Sequence, residues 1–103
     1  MKGMSDLLRQ AQIMQSKMAK LQEEVGQRTV EAGSGGGMVR AVCTGNQEIK
    51  SITIDKSVVN PEDVEMLEDL VITAVNEALR LSRDLMEKEM GAITGGLKLP
   101  GMF

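Results

Sequence analysis

Along the first 25 residues the apolar side chains fall at Met4, Leu7, Ala11, Met14, Met18, Leu21 and Val25, separated by steps of 3, 4, 3, 4, 3 and 4. Such steps keep one stripe on one face of a helix with a 3.5-residue repeat, the pattern of a seam that packs against another helix. The stretch has no proline, is filled with good helix formers, and runs into Gly26, a residue suited to a left-handed helix end. The spacing predicts a first helix over residues 2–25. From residue 27 to 55 the period drops to two and β-branched residues become common, in runs over 28–32, 38–44 and 48–55. The gap Gly33-Ser34-Gly35-Gly36-Gly37 and a second gap containing Gly45-Asn46 are short enough to require antiparallel hairpins. A three-stranded meander results, with Val39, Ala41 and Cys43 of the middle strand sharing the face ready to be covered. Asn60-Pro61-Glu62-Asp63 then supplies an N-cap, a proline at the first helical position and acids in the first turn. A second helix follows on Val64, Leu67, Val71, Ala74, Ala78, Leu81 and Leu85, unbroken before Gly91. The expected organisation is one α+β domain over residues 1–91 and a flexible C-terminal tail over 92–103.

The lengths of these elements set their arrangement. Helices of ~35 Å and ~45 Å overhang strands of ~20 Å. A second helix that doubles back across the sheet meets the first antiparallel beyond the sheet edge. The expected arm pairs the N-terminal half of helix 1 with the C-terminal half of helix 2.

Composition narrows what such a chain can do. Its 103 residues suffice for one domain, but Phe103 is the only aromatic side chain and nine methionines must help build the core. A second copy of the chain is therefore expected to complete it. Histidine is absent, which removes the commonest general base, the usual zinc ligand and every triad built on histidine. The single Cys43 cannot form an intrachain disulfide, and no apolar run approaches the ~18 residues that read as a membrane span. The glycine run joins strand to strand without the lysine of a phosphate-binding loop, and Glu65, Glu68 and Asp69 sit where they complement a helix dipole. No enzyme activity, cofactor, metal site or small-molecule substrate is expected, and the chain is expected to be cytoplasmic and free of membranes.

The net charge of −3 hides a segregation. Residues 1–20 hold Lys2, Arg9, Lys17 and Lys20 against Asp6 alone, a net of +3, whereas residues 62–89 hold nine acids and three bases, a net of −6. On the helix 1 wheel, with Met4 at position a, Lys2 and Arg9 fall at f, Lys20 at c and Lys17 at g, away from the apolar seam. The bases lie early and Glu23 and Glu24 late, the reverse of what the helix dipole favours. Lys17 alone among these cations lacks an acid three or four residues away, which leaves it freest to meet a phosphate. On helix 2, Arg80 with Asp84, Arg83 with Glu87, and Lys88 with Asp84 are spaced as surface ion pairs, making these three cations weaker candidates.

Several segments together carry a resemblance. They are Met14-Gln15-Ser16-Lys17-Met18, Ile52-Thr53-Ile54-Asp55, Met66-Leu67-Glu68-Asp69-Leu70-Val71 followed by Ala74, Asn76 and Ala78, and Leu99-Pro100-Gly101-Met102-Phe103. In their order the chain resembles the YbaB/EbfC family of bacterial nucleoid-associated proteins over nearly its whole length. The resemblance implies an αβββα protomer, a tweezer-like homodimer joined through the sheets, and double-stranded DNA bound by helical arms. The matched segments are mostly scaffold, so the candidate phosphate contacts Lys2, Arg9, Lys17 and Lys20, with Arg80, Arg83 and Lys88 behind them, come from the charge pattern. An alternative reading is a protein-interaction module in which Met14, Met18, Met86 and Met90 grip a partner helix. Burial of those methionines between the helices would favour the first reading.

Overall fold

The computed structural model describes the backbone of residues 2–94 and the side chains of residues 3–93. Residues 95–103, most of the expected tail, lie outside the described residues. The order is α1 (Lys2–Gln27), β1 (Thr29–Ser34), β2 (Val39–Thr44), β3 (Ile49–Ile54), a short 3-10 turn (Lys56–Val58) and α2 (Val64–Thr94). The strands form one antiparallel sheet in sequence order, so the αβββα meander is observed.

Alternation along β2 sets the core. Val39, Ala41 and Cys43 are fully buried, and their partners Ser34, Ala32 and Val30 on β1 share their face. Over this face lies α2, which brings Ala74, Ala78 and Ser82, all fully buried and four residues apart, against the sheet. Small side chains at that spacing allow close approach, and Leu67, Leu70, Val71, Val75 and Leu81 close the sides. Two buried or half-buried hydroxyls fix the crossing. Ser34 Oγ donates to the Leu70 carbonyl at 2.6 Å at one end of the sheet, and Ser82 Oγ to the Thr44 carbonyl at 2.6 Å at the other. Each such bond contributes about 1 kcal/mol net and saves a buried polar group from going unpaired.

Three local expectations are revised. The second helix starts at Val64, not at Pro61, because Asp63 supplies the cap, its Oδ1 accepting from the Met66 amide at 3.2 Å. Asn60 instead closes a separate turn, its Oδ1 accepting from the Glu62 amide at 3.0 Å. Gly91 does not end α2, which continues to Thr94 and takes in the first residues of the expected tail; an interior glycine costs a helix only about 1 kcal/mol. Gly26 lies within α1, which runs to Gln27, and its missing side chain makes room for the Asn46 amide.

Beyond the Ser82–Thr44 contact, α2 leaves the sheet and runs alongside α1, which arrives there antiparallel. Val25 and Met18 of α1 and Met90 of α2 are buried in the seam, with Leu21, Leu85 and Met86 half-buried. An Arg28–Glu89 ion pair of 3.3 Å spans it. The expected pairing is thus shifted: the C-terminal half of α1, not its N-terminal half, meets the C-terminal part of α2. Residues 3–17 of α1 are exposed throughout. The helices overhang the sheet far enough to make the molecule 75 × 20 × 17 Å.

Candidate nucleic-acid interface

The cations fall into three groups. Lys17 and Lys20 are exposed on α1 and make no ion pair among the described residues. The same holds for Arg83 and Lys88 on the part of α2 beyond the sheet, so the expected Arg83–Glu87 and Lys88–Asp84 pairs do not form. Arg9 reaches Asp6 at 2.9 Å, an exposed contact worth little in water and open to competition by a phosphate. Arg80 is committed elsewhere: Nε donates to Glu77 at 3.1 Å and Nη1 to Asp84 at 2.7 Å. Its hydrogen bond to Glu77 holds the guanidinium above its ordinary pKa and the Glu77 carboxyl below its own. The Lys2 side chain lies outside the described residues.

A feature with no forewarning in the sequence sits where the two helices leave the sheet. A cleft of about 640 Å³ opens there, lined by the amides Gln15, Gln22, Asn46 and Gln47, by Arg83 and Glu87, and by the apolar Met18, Met86 and Met90. Gln47 enters it from a left-handed backbone conformation, φ 63°, at the tip of the β2–β3 turn. The amides come from α1 and from that turn, so only folding brings them together. Gln15 and Gln22 do share one wheel position, a repeat of seven that could have marked them. Met18 and Met90 are buried and Met86 half-buried, which makes three of the four candidate partner-gripping methionines part of the seam; Met14 alone is exposed.

The remaining candidate chemistry stays structural. Gly35, Gly36 and Gly37 have φ of 60°, 69° and 91° and turn the chain between β1 and β2. Among the described residues no group of acids, cysteine or histidine is placed to hold a metal ion, and no helix is long and apolar enough to cross a membrane.

The model of the YbaB/EbfC DNA-binding family matches residues 1–97. The chain belongs to this family. Among its relatives, a nucleoid-associated protein of Desulforamulus reducens is 58% identical over 101 residues, covering 98% of this chain and 96% of that protein. One of Pelotomaculum thermopropionicum, also named a nucleoid-associated protein, is 52% identical with the same coverage. The fold is also that of the crystal structure of HP0035, an uncharacterized protein from Helicobacter pylori. That structure matches with a TM-score of 0.75 at 24% identity over 88% of this chain and 96% of its own.

Proposed function

We propose that this YbaB/EbfC protein is a non-enzymatic homodimer that binds double-stranded DNA at the nucleoid, in the cytoplasm, chiefly through phosphate contacts from its projecting helices. The observation that carries the reading is the placement of Lys17, Lys20, Arg83 and Lys88, exposed and without acidic partners among the described residues, beyond the end of the sheet. Arg9 extends the basic face toward the start of α1. Cations not already satisfied by carboxylates release counterions from DNA at the smallest internal cost. Arg80, held by two carboxylates, drops out of the contact set.

The dimer is supported by β3. A register shift between Val42 and Cys43 places Ile49 opposite Cys43, so that Ile49, Ile52 and Ile54 all share the face on which α2 lies. But α2 packs over β1 and β2, and the three isoleucines remain 38%, 42% and 38% exposed beside the open edge of the sheet. An exposed apolar strip on an unpaired edge strand is the surface a second sheet would cover.

Titration of a mixed-sequence duplex against random competitor at several salt concentrations tests the DNA reading. With about six phosphates neutralised per dimer, log K should fall with log salt at a slope near −5. Lys17→Glu with Lys20→Glu should weaken binding and flatten that slope. Salt-insensitive affinity, or no binding at low salt, would overturn it.

A further inference from the structure

The apolar seam of α1 continues past the end of its cover. Met18, Leu21 and Val25 pack beside α2, but Met4, Leu7, Ala11 and Met14 continue the same heptad stripe in the open. Met4 and Leu7 are each 64% exposed and Met14 41%, and Leu8, 62% exposed at the adjoining e position, widens the stripe.

A stripe with a 3.5-residue repeat fits a helix and not a strand, since only a helix presents knobs at matching intervals. The flanks of the stripe restrict which helix. From residue 3 to residue 15 the e and g positions are Gly3, Leu8, Gln10 and Gln15, none of them charged, while Asp6 and Arg9 point away at c and f. A flank without charge offers nothing to attract an acidic or basic partner helix, and nothing to repel its own copy. Two glutamine amides per segment can also pair with each other across a symmetric contact. The partner that satisfies period, continuity with the existing α1–α2 seam and neutral flanks together is the same segment of a second molecule.

We infer that residues 4–14 of α1 pair with the same segment of another molecule, joining projecting helices tip to tip. This contact is separate from the sheet-mediated dimer and does not rest on the DNA reading. Spanning about 15 Å, it is short, and it assembles in proportion to concentration. Molecules crowded along one duplex or on neighbouring duplexes would meet at high effective concentration, and the contact would then link them.

Sedimentation velocity on the full chain, from about 1 μM to about 1 mM, tests this. The mass should double with concentration in the wild-type protein. In Leu7→Glu with Met14→Glu the doubling should be lost, the association weakening by about 100-fold or more as charge enters the contact. The dilute variant should keep the wild-type Tm, because both side chains are exposed in the described fold, and Leu7→Met with Met14→Leu should retain the doubling. Ile52→Glu, aimed at the sheet contact, should halve the starting mass and leave the doubling in place. A mass independent of concentration in the wild type, or equal doubling in wild type and charge variant, would overturn the inference. So would a lower Tm in the charge variant at constant mass, since the stripe would then be covered from within its own molecule.

Discussion

A Cβ at Gly45 would lie 2.0 Å from the Val25 carbonyl oxygen, where the end of α1 presses on the β2–β3 turn. The glycine is required by proximity, not by backbone sign: the left-handed residue of this turn is Gln47. Gly45→Ala should therefore force α1 off the sheet end and cost about 3 kcal/mol or more, read by urea unfolding; a loss under about 0.5 kcal/mol would mean the helix end yields freely. Single charges also sort themselves at this level. Asp84 is spaced to serve both Arg80 and Lys88, and once Arg80 takes it at 2.7 Å, Lys88 is left to solvent. Spacing alone offered three ion pairs of equal standing; competition for Asp84 separates Arg80 from Lys88, while Arg83 and Glu87 stay apart without a competing partner among the described residues.

The elements were legible where periodicity was long. The heptad of α1, the alternation of β2 and the apolar stripe of α2 each repeat often enough to fix type, face and order. Boundaries were not, because the local signals compete: Asn60 and Asp63 are both good caps, and the helix begins at the later one after Asn60 has been used in a turn. The bulge at Lys50 left no sequence signal, since the run through Ile54 reads as plain strand; yet it aligns Ile49 with Ile52 and Ile54. Charge at the centre of that strip should separate the sheets. If the proposed dimer forms through this strip, Ile52→Glu gives a folded protein of half the wild-type mass by light scattering, and an unchanged mass would contradict that contact.

The ends of the molecule differ in chemistry. The sheet end carries Glu62, Asp63, Glu65, Glu68 and Asp69 around the start of α2, whereas the projecting end carries the exposed Lys17, Lys20, Arg83 and Lys88 interspersed with Glu23, Glu24, Asp84, Glu87 and Glu89. A net charge of −3 thus coexists with exposed cations, unpaired among the described residues, at one extremity of a body 75 Å long. The expectation that α1 would supply the basic surface came from the sequence, since charges on one wheel face are visible there. Arg83, a weaker candidate on spacing, rose beside them only through the fold, because the depth to which α2 crosses the sheet decides which of its residues project. The cleft amides follow from the same geometry, and they stand beside the proposed phosphate contacts, where side-chain amides have access to neighbouring polar groups. Protection of lysines from acetylation by a bound duplex tests the placement of the interface most directly. Lys17, Lys20 and Lys88 should lose reactivity on binding while Lys50 and Lys56, on and after β3, keep theirs; protection of Lys50 and Lys56 with the helix lysines still reactive would contradict it.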